Sequence, residues 1–145
     1  MKSFVKAYKD LEKDELYEIL KLREKVFKIE QNSQYTDLDN LDKEAIHIFI
    51  KDDGIIKAYA RIIEKDKNKK IGKLARVISR KKTYGRKICE IAIKTAFDDL
   101  ELNEIFIEAQ VQAMGFYEKL GFEKTSKPYD YAGINHIDMI LKKDY

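Results

Sequence analysis

The chain has no tryptophan, and only one cysteine and one proline, among its 145 residues. A lone Cys89 cannot close an internal disulfide, so the fold must rest on its core, and a single thiol fits a reducing cytoplasm. Pro128 lies near the end, and no repeat or low-complexity linker interrupts the sequence, so residues 1–145 are expected to form one domain. Long apolar runs are missing too. Nothing approaches the about 18 apolar residues of a membrane span, and MKSFVKAYKD has no apolar stretch suited to a signal peptide. Nor is there a large charge excess: 26 acidic residues nearly balance 29 basic ones, leaving +3. A dedicated nucleic-acid binder usually carries a larger basic surplus. A soluble cytoplasmic protein is expected, with neither membrane nor nucleic acid as its partner.

What is present is a patterned α/β chain. Ser3 to Tyr8 alternates weakly, as an exposed first strand does. Asp14 offers an N-cap to a helix whose apolar positions Leu16, Ile19, Leu20, Val26 and Phe27 run to about Glu30. Asn32 to Asp42 is polar, acidic and long for a connector. Two apolar runs, Ile46 to Ile50 and Ile55 to Ile63, flank Asp53-Gly54, a strong hairpin signal. A third run spans Ile71 to Ser79, and a helical pattern with Ile88, Ile91 and Ala92 ends near Leu100. Ile105 to Ala109 reads as a buried strand. Phe116 to Leu120 reads as a helix stopped by Gly121, and two strands close the chain near Phe122 to Lys127 and Ile137 to Leu141. The order is β-α-βββ-α-β-α-ββ, a mostly antiparallel mixed sheet flanked by helices.

Between the third run and its helix stands RKKTYGRKIC, Arg80 to Cys89, with five basic residues. A strand, a glycine-containing loop and a helix start make an anion site, because the first helical N–H groups lack partners and the dipole adds positive charge. Gly85 would supply a positive φ for close backbone approach. There is no second glycine before a Lys-Ser/Thr pair, and no spaced glycines, so neither a Walker loop nor a dinucleotide fingerprint is present. A solvated basic loop and a nucleic-acid patch with Tyr84 stacking on a base are the competing readings.

Downstream, EAQVQAMGFYEKLGFEK places Ala113 and Tyr117 on one helix face. Ala113, Phe116, Tyr117, Gly121 and Phe122 resemble the A-x-x-F-Y-x-x-x-G-F pattern of the GNAT superfamily of acetyl-CoA-dependent acyltransferases. RVISRKKTYGRKIC stands where that family has a strand leading into R-G-x-G-x-G/A, although only Gly85 matches fully. Tyr84 replaces Arg/Gln, Lys87 a glycine, and Cys89 a small residue. Blocks at Glu30–Asp39, His47, Ala58–Ile62, Arg76–Val77, Ala109–Gln110 and Gly133–Met139 resemble the ElaA-like branch.

The resemblance implies acetyl transfer from acetyl-CoA to a small-molecule or peptide amine by direct attack, without a metal, from a monomer or homodimer. Val77, Ile78 and Ser79 would pair with pantetheine like an added strand. A strand N–H there would polarise the thioester carbonyl. The backbone from Tyr84 and Gly85 through Arg86, Lys87 and Ile88 to Cys89 would hold the pyrophosphate, with Arg80, Lys81, Lys82, Arg86 or Lys87 supplying charge. Gln110 would bond the cofactor or a water. Tyr117 would protonate the departing thiolate. Glu30, Tyr35, Asp37, Asp39, His47 and His136 are the acceptor-side candidates, and the acidic loop would attract a cationic amine. Cys89 sits at a helix start, where thiols turn reactive, but packing is its expected role. A non-catalytic acyl-CoA sensor and a nucleic-acid module on residues 80–87 are the alternatives.

Overall fold

The computed structural model describes residues 1–144. Strands β1 (Lys2–Ala7), β2 (Ile46–Asp52), β3 (Ile55–Asp66), β4 (Ile71–Ser79), β5 (Glu104–Gln110), β6 (Glu123–Lys124), β7 (Tyr129–Tyr131) and β8 (Ile134–Lys142) form one sheet. Helices α1 (Lys13–Arg23), α2 (Lys82–Lys94) and α3 (Met114–Lys119) flank it. The strand order is β1-β2-β3-β4-β5-β8-β6, with β7 also paired to β8, and among the described residues only β4 and β5 pair in parallel.

Alternation within the strands explains the layers. Ile48 and Ile50 of β2 turn toward Ile88, Cys89 and Ala92 of α2, while Phe49 turns to the opposite face and packs with Ile19, Val26 and Phe27 of α1 and its extension. Burial on both faces makes β2 and β3 read as near-continuous apolar runs. The Asp53-Gly54 hairpin forms as expected, with φ of 60° and 76°, the left-handed pair that a two-residue turn between twisted strands requires.

Two local expectations are corrected, at the start of α1 and in the closing segment, while the run of α1 to Glu30 is as expected. Asp14 lies inside the first turn of α1: the cap is Glu12, whose N–H donates to Glu15 Oε1 at 2.9 Å. A carboxylate three residues on satisfies an orphan donor as well as a short side-chain cap does. α1 continues to Glu30 in wider turns, with Gln31 N–H reaching back five residues to the Val26 carbonyl at 2.9 Å. The closing segment holds three strands, because β6 and β7 share the outer edge of β8 one after the other. The break between them contains Pro128, which has no N–H for a ladder.

Candidate active site in the cleft between β4 and β5

β4 and β5 pair only from Ile71–Lys73 to Glu104–Phe106 and then diverge. β4 stays bonded to β3 as far as Ser79, and β5 to β8 as far as Gln110. The sheet is therefore split into a V, and the edge of β4 beyond Lys73 faces the opening without a strand partner. A bulge sharpens the divergence. Tyr59 opposes Ile78 while Arg61 opposes Ala75, so β4 carries one residue more than β3 there, and Arg76 takes a left-handed φ of 56°. The resulting cleft of about 250 Å³ is bordered by Val77 on one side, Gln110 and Tyr117 on the other, and Tyr35, Tyr131 and His136 at its mouth.

Tyr117 is held by the turn that follows it. Gly121 takes a φ of 103°, so Gly121 N–H reaches the Glu118 carbonyl at 3.0 Å and Phe122 N–H the Tyr117 carbonyl at 3.1 Å. These two bonds form a Schellman closure. Its hydrophobic contact is Phe122 against Tyr117, edge to face at 5.7 Å, with Phe116 edge-on at 5.2 Å from the other side. The Gly-Phe step thus fixes the aromatic ring that borders the cleft. Burial pushes the Tyr117 phenol well above its ordinary range, with the neighbouring Cys89 adding to the effect, so the proton stays on oxygen at neutral pH.

The acidic loop does not face the cleft as a set of free carboxylates. Three aspartates are matched by three arginines. Fully buried Arg23 donates to Asp37 Oδ2 at 3.0 Å and to Asp42 Oδ1 at 2.7 Å. Arg61 donates to Asp39 Oδ2 at 2.5 Å and to Asp42 Oδ1 at 2.8 Å. Arg76, at the bulge, donates to Asp37 Oδ1 at 2.8 Å and to Asp39 Oδ2 at 3.3 Å. Burial alone would raise the Asp39 carboxyl, but Arg61, the Leu41 N–H and then Arg76 outweigh it and hold it at about 2. Asp37 and Asp39, expected to draw in a cationic acceptor, are thus each paired with arginines of this chain. The same applies to Glu30, which accepts a bidentate pair from Arg80 at 2.9 and 2.8 Å. His47 has no exposed surface. Its Nε2 donates to the Asp42 carbonyl at 2.8 Å and its Nδ1 accepts from the Tyr59 hydroxyl at 2.7 Å, so both ring nitrogens are taken up in bracing the loop.

The anion loop is also rearranged. α2 begins at Lys82, a turn before Gly85, and Gly85 N–H donates to the Lys81 carbonyl at 3.2 Å. Gly85 is absent from the positive-φ residues; its bare Cα lets α2 approach Ser79, whose Cβ would lie 3.4 Å from an added methyl. The amides from Gly85 to Cys89 are committed to the helix, and the side chains of Ile88 and Cys89 lie in the core. The N–H groups left without helical partners are those of the first turn, at Lys82 and Thr83. Tyr84 donates to Asp52 Oδ2 at 2.6 Å, which ties the loop to the β2–β3 hairpin. Ile78 points into the α1-side core, so β4 offers the cleft its backbone and Val77, while the Ser79 hydroxyl donates to the Lys81 carbonyl. At the end of β5, Gln110 Nε2 donates to Gln31 Oε1 at 3.2 Å and Gln110 Oε1 accepts from Gln112.

The A-x-x-F-Y-x-x-x-G-F motif thus sets Tyr117 and its Gly-Phe turn across a split sheet from the bulged β4. The model of the acetyltransferase (GNAT) domain matches residues 7–143. The chain belongs to the GNAT family.

Within GNAT proteins it is ElaA-like. The crystal structure of Escherichia coli ElaA superposes with a TM-score of 0.90 at 27% identity, covering 97% of this chain and 99% of that one. An acyl-CoA N-acyltransferase from Pseudomonas aeruginosa superposes at 0.88 with 28% identity over 97% and 99% of the two chains. A UPF0039 protein of Synechocystis sp. is 34% identical over 140 residues, 93% of this chain and 91% of that protein. GNAT folds generally bind acyl-CoA, and the family acts on small-molecule or peptide amines. Among the described residues no helix is long and apolar enough to cross a membrane.

Among the residues bordering the cleft that sequence reasoning did not single out as site residues are the polar side chains of Lys73, Arg76, Glu108 and Tyr131. Glu108 stands between apolar residues in IFIEAQ, a charged side chain on the strand face that the cleft exposes. That interruption was a usable signal.

Proposed function

We propose that the protein is an acetyl-CoA-dependent N-acetyltransferase, one domain over residues 1–145, acting in the cytoplasm on a primary amine of a small molecule or peptide. The observation that carries this reading is Tyr117: a buried phenol, kept protonated, bordering the same cleft as the unpaired edge of β4. In this reading pantetheine lies along Val77 to Ser79 as an added strand, and the bulge beside Arg76 turns an N–H toward the thioester oxygen as charge develops there. The phosphates lie at the first turn of α2, with Lys82, Lys87 and Arg86 nearby, and Gln110 bonds the acyl-pantetheine end or a water. The amine enters past Tyr35 and His136 and attacks the carbonyl carbon directly. The C–S bond breaks, and Tyr117 protonates the departing thiolate.

Thiol release on mixing the protein with acetyl-CoA and a panel of alkyl amines, peptides and aminoglycosides tests this reading. Tyr117→Phe is expected to lower turnover by ~10²–10⁴-fold with acetyl-CoA affinity kept. Unchanged turnover in that variant sinks the acid assignment. Stabilisation by acetyl-CoA against heat, with no release across the panel, identifies a binding protein instead of an enzyme.

A further inference from the structure

The wall of the cleft on the β5–β8 side carries a second group of side chains, separate from Tyr117. Glu108 opposes Asp138 and Gln110 opposes His136 in the antiparallel pair, and Tyr129 of β7 opposes His136 from the other side. Directly opposed residues, and residues two apart, share a sheet face. Glu108, Gln110, His136, Asp138 and Tyr129 therefore stand together. Glu108 is ion-paired with Lys73 and accepts from the Tyr129 hydroxyl at 3.3 Å, while Tyr129 also donates to Asp138 Oδ1 at 2.6 Å. Burial works against ionisation of Glu108, but Lys73, Tyr129 and then His136 together hold its carboxyl below the usual range. It is a carboxylate at neutral pH, with His136 within its field.

The imidazole of His136 is fixed in place and in tautomer. Its Nδ1 lies 2.8 Å from the Ile134 carbonyl, and a carbonyl only accepts, so Nδ1 carries a hydrogen and, in the neutral ring, Nε2 holds the lone pair. Tyr129 stacks on the ring at 6.2 Å, and Tyr131 meets it edge-on at 5.6 Å. Tyr35 stacks on Tyr131 at 6.0 Å and continues the aromatic surface to the mouth of the cleft. Nε2 has no hydrogen-bond partner among the described residues. A basic nitrogen without a partner, a carboxylate diagonally across on the neighbouring strand and tyrosine rings beside it suit an organic ammonium.

We propose that His136 is the base that deprotonates an alkylammonium acceptor, and that Glu108 is the positioning residue whose charge stabilises the resulting imidazolium. This rests on the acyl-transfer reading above. The ammonium N–H bond breaks, its electron pair stays on nitrogen, and the proton moves to His136 Nε2. That pair then forms the C–N bond. The C–S pair leaves on sulfur, and Tyr117 gives the thiolate a proton while recovering one from the now cationic nitrogen. The imidazolium returns its proton to water. Ammonium and thioester become amide, thiol and one released proton.

Two probe amines test the proposal: butylamine, an ammonium at neutral pH, and hydroxylamine, which is neutral there. In His136→Gln, kcat/KM for butylamine is expected to fall ~10²–10⁴-fold. The loss for hydroxylamine is expected to be much smaller, because no proton need be removed before attack. Glu108→Gln should show the same selectivity with a smaller loss, partly restored in Glu108→Asp. Equal losses for the two amines overturn the proposal and leave the acyl-transfer reading standing. A parent protein that acetylates neither probe and is not stabilised by acetyl-CoA removes both. The ¹⁵N spectrum of the His136 ring needs no acceptor: the Nδ1–H tautomer is expected, and a predominant Nε2–H tautomer overturns the assignment.

Discussion

Arg76 Nε donates to Asp37 Oδ1 at 2.8 Å, and this bond fastens the β4 bulge to the acidic loop. The other oxygen of Asp37 accepts from Arg23, which is fully buried on the α1 side. One carboxylate thus ties a helix, a loop and the strand edge that borders the cleft. Removing it leaves Arg23 buried with half its charge partners gone, and breaking a buried pair in this way costs about 3–5 kcal/mol. Asp37→Ala is expected to lose that much stability in urea denaturation. A loss below ~1 kcal/mol would show that the network is not what holds the loop.

Two of the shifted groups mark separate stages in the dependence of stability on acid. Burial lowers the pKa of His47, which folds neutral with Nδ1 accepting from Tyr59. Its contribution is complete above the unfolded value of ~6.5 and declines as pH falls below it, because only the unfolded chain then takes up the proton. Asp39 is held at about 2. Its contribution is complete above the unfolded value of ~3.9 and is lost as pH falls toward the folded one. Unfolding free energy should therefore drop in two stages. His47→Gln should flatten the stage between about pH 5 and 7, and Asp39→Asn should shrink the stage below about pH 4, which Glu15, Asp42 and Glu108 share. A parent profile flat from neutrality to about pH 5 would contradict the His47 assignment.

Cys89 packs among Ile88, Ala92 and the β-sheet core with no exposed surface, and burial pushes its thiol up to about 12. A helix start lowers a thiol pKa only where the sulfur meets the free N–H groups, and Cys89 lies two turns inside α2. Native protein should not react with Ellman's reagent at about pH 8, and unfolded protein should release one equivalent per chain. Turnover should survive Cys89→Ala. Rapid labelling of the folded chain would refute this placement.

How much of this was legible in the sequence follows from the range of each interaction. Hydrophobic alternation and local turn chemistry were enough for the strands through β5, the Asp53-Gly54 hairpin and the Gly121 stop, because each depends on neighbours within a few residues. The Asp14 cap failed for the same local reason, since two glutamates offered a competing box. The arginine–aspartate network was not legible as a whole. Its bonded partners are up to 39 residues apart along the chain, and an acidic loop reads as solvated until its partners are found. A signal was present nonetheless. Arg23 falls four positions after Ile19 on the buried face of α1, and Arg61 interrupts an apolar strand. Charges at core positions imply opposite charges from elsewhere. Glu108 was missed in the same way, while His136 was named but could be given a tautomer only once the Ile134 carbonyl was placed beside it.

The five basic residues from Arg80 to Lys87 divide into two groups. Arg80 is occupied by Glu30, Lys81 lies 3.7 Å from Asp52, and Arg86 lies 3.7 Å from Glu90 on its own helix. Lys82 and Lys87 make no ion pair among the described residues, and both border the groove at the first turns of α2. If phosphate charge is met here, these two lysines meet it. Lys82→Ala and Lys87→Ala are each expected to weaken coenzyme A binding about tenfold, ~1.4 kcal/mol, while leaving pantetheine binding unchanged. The difference should shrink as salt is raised, since the site is exposed. Arg80→Ala should have little effect on coenzyme A, because its guanidinium is already matched. Isothermal titration of the three variants with coenzyme A and with pantetheine separates these cases. An Arg80→Ala loss exceeding those of both lysine variants would move the phosphate site off the helix and onto the strand end.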